Sequence, residues 1–350
     1  MIEPLRPASL SEILDRTAQL YRSRFFVFLG IALLPTAAVL VPICAMAAVS
    51  AFNSGAGRGQ GGAASAQDVL TGLAFLGIFL VAAPVWLGAT ALAMAALAHA
   101  SARAHMGQEF STRSSHREAW RRGWRYLGLL VLQGLMVWAA PVVVLSLLLA
   151  AFGVAAAFAG NSGDAGTSFF LALAMTVIAL AGGAYVIWMA LRLSLAFPAC
   201  VVEQMGPIAG LKRSAVLSRG TKGRIVLLFL LGAALNSLLS LAMMVPLMIA
   251  VTLIPALKGA QHQQTYTVVS ALVVYGSMFA VQALTRPIFG IALVLFYYDQ
   301  RIRQEGFDIE WMMLQAGLVP PAPPAVQAQP WLPAVLETVN DLKQTGSVPE

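Results

Sequence analysis

Apolar and polar positions fall into long blocks along this chain, not into a short alternation. Six stretches, about 25–49, 69–100, 127–159, 168–200, 225–254 and 267–297, carry almost no charge. Each exceeds the roughly 20 residues that a helix needs to cross about 30 Å of hydrocarbon. The runs are too long and too uniformly apolar for alternating barrel strands, so the pattern predicts helices. The first run follows a polar segment and outlasts the apolar stretch of a cleaved signal peptide. It is therefore read as a retained span.

The polar segments carry helix signals of their own. Ser9 with Glu12, and Ser115 with Glu118, match a capping box. Pro207 suits the first turn of a third such helix. In the first segment Leu10, Ile13, Leu14, Thr17 and Tyr21 share one face, while Glu12, Asp15, Arg16, Gln19 and Arg22 face away. Such a helix braces a bundle from below or lies at the headgroup boundary. The segments also resemble one another. Asp15-Arg16 precedes Arg24-Phe25, His116-Arg117 precedes Arg125-Tyr126, and Lys212-Arg213 precedes Arg224-Ile225. The predicted fold class is all-α. It is a polytopic integral membrane bundle of six transmembrane helices, built as three hairpins that each follow a cytoplasmic amphipathic helix. The expected divisions are an amphipathic N-terminal segment 1–24, a membrane domain 25–310 and a Pro-rich cytoplasmic tail 311–350. In the tail Trp331, Val335, Val339 and Leu342 recur at near-helical spacing, which suits docking on the bundle, on the membrane or on a protein partner.

Composition strengthens the membrane reading. The chain is 59% hydrophobic and 11% charged, against about 25% charged for soluble domains. Its mean hydropathy is +0.78. Charge placement adds an orientation. Of 22 Lys and Arg, all but Arg58, Arg192, Lys258 and Arg286 lie in the N-terminal segment, in 101–126, in 203–224 or after the last span. Basic loops stay in the cytoplasm, so both termini are expected inside, in a bacterial inner membrane. The pI near 9.8 follows from this bias. No basic stripe interleaved with stacking aromatics points to nucleic acid.

Candidate chemistry is sparse. Cys44 and Cys200 are isolated in or beside apolar runs and form no disulfide framework or metal cluster. His99, His105, His116 and His262 lack ligand spacing and are expected to be interfacial or solvated. The glycine-rich stretches 55–62 and 160–166 have no Lys and no following helix start of P-loop type. Asp299 with Arg303, and Arg301 with Glu305, read as i,i+4 pairs on a helix. No catalytic, cofactor or metal site emerges, and a non-enzymatic protein is expected. Arg192 and Arg286 stand out because no Asp or Glu lies within any span to pair with them. Ser194, Gln282 and Thr285 lie close by in sequence. Three readings stay open: snorkelling or structural bonding, a shared pocket for anionic lipid headgroups, and a conduction path.

Three further stretches carry a resemblance. They are Leu5-Arg6-Pro7 with Glu12-Ile13-Leu14-Asp15-Arg16 and Tyr21-Arg22; Pro198 with Val202-Glu203, Gly206-Pro207 and Leu211-Lys212-Arg213-Ser214; and Tyr297-Tyr298-Asp299-Gln300-Arg301-Ile302-Arg303 with Glu305-Gly306-Phe307-Asp308. Over about residues 4–310 the chain resembles the membrane-domain family of glycerophosphoryl diester phosphodiesterase. Some members of that family are fused to a catalytic barrel, so the resemblance implies a link to phosphodiester lipid chemistry. The leading expectation is an accessory or scaffold module that engages membrane lipids or a partner. A transporter or lipid-handling protein with an anion site at the two arginines is the second. The membrane part of a phosphodiester-lipid enzyme, without its catalytic domain, is the third.

Topology gives the first prediction. A reporter active only in the cytoplasm, fused after residue 310, should be active, and one active only in the periplasm should be silent. The reverse pattern refutes the orientation.

Overall fold

The computed structural model describes residues 7–54, 66–159, 165–258, 263–307, 309, 312 and 313. The stretch 55–62, most of 160–166, His262 and nearly all of the tail lie outside the described residues. Among the described residues there are ten helices and no strand. They are α1 (Leu10–Ser23), α2 (Phe25–Ser54), α3 (Ala66–His105), α4 (Thr112–Arg121), α5 (Gly123–Ala159), α6 (Ala165–Arg192), α7 (Ala196–Val202), α8 (Pro207–Leu217), α9 (Lys222–Lys258) and α10 (Gln263–Glu305). Six of them, α2, α3, α5, α6, α9 and α10, are long and apolar enough to cross a membrane. They pack as the hairpins α2–α3, α5–α6 and α9–α10, and α10 also packs on α2 and α3.

The short polar helices gather at one end, here the charged end. α1 starts as expected: Ser9 Oγ accepts the Glu12 N–H at 3.2 Å, and Glu12 Oε2 accepts the Ser9 N–H at 2.7 Å. Its apolar face is spent on protein. Ile13 and Thr17 are buried, and the Tyr21 hydroxyl donates to the Leu284 carbonyl of α10 at 3.1 Å.

α4 departs from the expected start. Its N-cap is Ser111, whose Oγ accepts the Ser114 N–H at 3.2 Å while Ser114 Oγ accepts the Ser111 N–H at 3.0 Å. Ser114 plays the part assigned to Glu118, so the helix begins earlier. Ser115 is buried inside it, and Glu118 pairs with Arg121 at 3.7 Å. α8 opens on Pro207, as its sequence suggests.

The fourth predicted span is not one helix. α6 ends at Arg192, and α7 starts four residues later. Pro198 explains the break. It has no N–H to offer the Ser194 carbonyl, and its ring clashes with the preceding turn. In the first turn of α7 the missing donor costs nothing.

After each polar helix, the next long helix restarts at a backbone break. Phe28 N–H reaches the Arg24 carbonyl at 3.2 Å, Tyr126 N–H the Arg122 carbonyl at 3.4 Å, and Ile225 N–H the Thr221 carbonyl at 3.2 Å. All three donor residues are fully buried, as are Ile31, Leu129 and Leu228 one turn on. Phe26 and Trp124, two residues past the first two breaks, are 83% and 87% exposed. Aromatic side chains in such places suit a membrane–water boundary. The breaks fall at 24, 122 and 221, so the pairing of Arg24 with Arg125 and Arg224 read from the sequence is three residues out of step.

The core lies in the charged half of the bundle: Phe28, Ile31, Tyr126, Leu129, Leu195, Leu217, Ile225, Ile291, Phe296 and Tyr297. Close approach depends on a few small residues. Ala91, Ala95 and Ala98 are buried, but Gly88 and Gly183 face open space and Gly182 makes only ordinary contact with Pro141. The tight positions are Gly290 and Gly232. A methyl on Gly290 would come within 2.1 Å of Leu97 Cδ2, and one on Gly232 within 3.0 Å of Phe289.

These contacts set the second prediction. Gly290→Ala should destabilise the purified protein by about 1–3 kcal/mol, the usual cost of overpacking. Gly276→Ala, with nothing within 4 Å, should leave stability unchanged or slightly raised. Thermal unfolding in detergent checks both, and equal midpoints for the two variants refute the packing at Gly290.

Candidate functional site

The charged end is built around two buried carboxylates. Asp299, 3% exposed on α10, accepts from the Ala8 backbone N–H at 2.8 Å. It also accepts from Arg303 Nε at 3.0 Å and from Arg224 Nη1 at 2.9 Å. The same two arginines donate to the Ala8 carbonyl, at 3.0 Å from Arg224 and 2.8 Å from Arg303. One carboxylate thereby ties the entry to α1, the start of α9 and the end of α10.

The second carboxylate is Glu203, fully buried at the C-cap of α7. Arg213 of α8 grips it with Nε and Nη2 at 2.9–3.0 Å. The Tyr297 hydroxyl donates to it, and Arg301 Nε lies 3.6 Å away. Arg213 also donates to Glu305 at 2.7 Å, and Arg301 reaches Glu305 at 3.3 Å. The Arg301 guanidinium lies 4.3 Å from the centre of the Phe307 ring. Burial works to lower the Arg213 pKa, but the hydrogen bonds to Glu305 and Glu203 outweigh it and hold that pKa above its ordinary value. The two i,i+4 pairs expected from sequence are therefore present, but as parts of clusters that tie α10 to α7, α8, α9 and the entry to α1.

The helix break is the second polar arrangement. Ending α6 early frees carbonyls that need donors. Ser214 Oγ and Ser218 Oγ of α8 donate to the Arg192 carbonyl at 3.0 and 3.2 Å. Gln133 Nε2 of α5 donates to the Leu193 carbonyl at 3.2 Å. Ser214 Oγ also accepts the Leu195 N–H at 3.1 Å. Ser194, a candidate from sequence, bonds only within its own turn, to the Leu191 carbonyl at 2.9 Å.

Arg192 and Arg286 sit in different settings. The Arg192 guanidinium lies 5.2 Å from the Trp188 ring centre, which Lys222 Nζ approaches at 5.3 Å. Arg286 Nε lies 3.4 Å from Gln282 Oε1 one turn back. Thr285 donates to the Val281 carbonyl and to Asn236 Oδ1 of α9, both at 3.0 Å. The structure thus groups Arg286, Gln282 and Thr285 with Asn236, and Arg192 with Trp188 and Lys222. It joins the two groups through no contact among the described residues. A cavity of about 20 Å³ beside α1 and a cleft of about 160 Å³ beside α7 are both lined by other residues.

One histidine, His99, differs from expectation. His99 is buried, and its Nε2 lies 3.2 Å from the Tyr126 hydroxyl. His105 is half-buried with its ring 5.0 Å from that of Tyr298. His116 on α4 has its pKa lowered by burial. Among the described residues no three His, Cys, Asp or Glu are grouped to hold a metal. Cys200 is buried, with its thiol donating to the Met205 carbonyl at 3.1 Å.

Comparisons of the chain with protein-family models, with curated proteins and with solved structures gave no match.

The ionic cluster yields the third prediction. Asp299→Asn leaves Arg224 and Arg303, whose side chains are 30% and 38% exposed, facing a neutral amide. The loss should be about 1.5–3 kcal/mol, the worth of hydrogen bonds to a charged group. The exposed pair supplies the control: Glu118→Gln should cost under about 1 kcal/mol. Chemical unfolding in detergent compares the two, and similar midpoints refute the role assigned to Asp299.

Proposed function

We propose that this chain is a non-enzymatic accessory or scaffold module of a bacterial inner membrane, with its charged end in the cytoplasm, engaging membrane lipids or a protein partner. One observation carries the reading. The carboxylates best placed to do chemistry, Glu203, Asp299 and Glu305, are each held by arginines and spent on joining helices. A carboxylate whose oxygens are already taken by guanidiniums has little left to offer a substrate. The architecture supports a brace more than a reaction centre.

We also infer that the bundle is an internal repeat of three units, each a polar helix followed by a transmembrane hairpin. The breaks at Arg24, Arg122 and Thr221 support it, with buried apolar residues four and seven positions on. All units would enter from the same side, unlike the inverted repeats of many transporters. The resemblance to the membrane-domain family of glycerophosphoryl diester phosphodiesterase stays part of this proposal. Under it, the module would serve phosphodiester lipid chemistry carried out by another polypeptide.

The fourth prediction tests the scaffold reading in cells. A photo-crosslinking residue in place of Trp331 or Val335 should trap one discrete protein adduct, while the same residue at lipid-exposed Leu241 should trap none. Failure to trap protein at either tail position overturns the partner role. Arginine-dependent release of an anionic solute from vesicles holding only the purified chain, lost in Arg286→Gln, would replace it with the transporter reading.

A further inference from the structure

The cleft of about 160 Å³ at the charged end lies between two turns that face one another. Its walls are His99, Ala102, Arg103, Met106 and Gln108 from the end of α3, Val201, Val202 and Gln204 from the end of α7, and Tyr298 of α10. It is too small for a drug-sized ligand, which occupies about 300 Å³ or more. It is large enough for a compact polar group, since a water takes about 30 Å³ in the liquid.

Both turns are fixed by backbone geometry. α3 ends in a Schellman motif: Gly107 adopts φ +69°, its N–H reaches the Ala104 carbonyl at 3.1 Å, and Gln108 N–H reaches the Arg103 carbonyl at 2.9 Å. Opposite, Gln204 adopts φ +56° and is the one non-glycine residue at positive φ among those described. That conformation costs about 1 kcal/mol or more for a side chain of this kind. Strain of this sort collects at binding sites, where it holds a polar group in place. The Gln204 side chain steadies the turn by donating to the Val201 carbonyl at 2.8 Å.

The electrostatics are one-sided. Arg103 is the only charged side chain of the lining, and no Asp or Glu lines the cleft. Among the described residues, no carboxylate pairs with Arg103. Arg122, close enough for its charge to act on His99, has its Nη1 buried without an acceptor. Glu203, whose charge reaches the lining Tyr298, is held by Arg213, and Glu118 is paired with Arg121.

We propose that the cleft binds a phosphate group, with Arg103 as the charge-assisted donor and the Gln108 and Gln204 amides completing the cradle. The depth of the cleft, at the ends of the second, fourth and sixth spans, suits a lipid phosphate as well as a free one. The site is separate from Arg192 and Arg286 and goes beyond the scaffold reading.

The test uses the full chain in phosphatidylcholine nanodiscs. One arm titrates inorganic phosphate and follows the thermal midpoint. The other measures by native mass spectrometry how much phosphatidylglycerol is retained after purification from mixed vesicles. Arg103→Gln should weaken phosphate binding, phosphatidylglycerol retention, or both, by about tenfold or more, the worth of one charge-assisted hydrogen bond. A loss in the first arm identifies a free phosphate, and a loss confined to the second identifies a lipid headgroup. Gln204→Gly, which relieves the positive φ and removes the amide, should show a smaller loss in the same arm in a chain that folds at least as well. Wild-type behaviour of both variants in both arms overturns the proposal, as does a parent chain that binds neither probe. The crosslinking experiment reads the tail without added phosphate, so either proposal can fail alone.

Discussion

A charge removed from water is costly unless an opposite charge and hydrogen bonds match it. Asp299 and Glu203 impose that condition on this bundle. Each carboxylate draws its partners from different segments: the Ala8 backbone, Arg224 and Arg303 for one, Arg213, Tyr297 and Arg301 for the other. These partners cannot reach their targets unless α1, α8, α9 and α10 adopt one mutual arrangement. Apolar packing alone would tolerate many rotations of a helix about its axis. Bidentate geometry tolerates few. The register of the charged end thus follows from electrostatics, and the core packed around it inherits that register.

Farther from this end the argument changes. Lipid is as apolar as leucine, so burying leucine against leucine gives little drive for helices to associate. The long helices expose Leu73, Val81, Leu147, Leu180, Leu238 and Leu241 along this part of the bundle. What ties them is a sparse set of polar contacts: Asn236 with Thr285, the Tyr185 hydroxyl with the Met136 carbonyl at 3.0 Å, and Gln133 with the Leu193 carbonyl. Close approach at Gly232 and Gly290 adds dispersion contacts where no bulk intervenes.

The sequence made the six long helices and the polar helices between them plain, because hydropathy over 20 or more residues is a strong signal. Local chemistry was less legible. Ser115-x-x-Glu118 matches the capping pattern, and Ser111 with Ser114 does not, yet the structure caps the helix at Ser111. Pro198 was visible, yet a break there requires donors for the freed carbonyls, and Ser214 and Ser218 lie 22 and 26 residues from the Arg192 carbonyl they serve. The i,i+4 spacing of Asp299 and Arg303 was legible. Their partnership with Ala8 was not, since no periodicity links residues so far apart. The cleft beside Arg103 left one trace, a lone arginine followed by Gly107. Its other wall, the left-handed Gln204, has no compositional signature.

The bond between Ala8 and Asp299 spans 291 positions. A ribosome adding about 5–20 residues per second needs roughly 15–60 s to cover that distance. For that interval α1 exists without the acceptor that will anchor its first turn, and its apolar face has no α10 to lie against. α1 is thus seated only after α10 is made, although its own residues precede α10 by far. The Ala8–Asp299 bond therefore waits on α10, a delay in time written into one carboxylate.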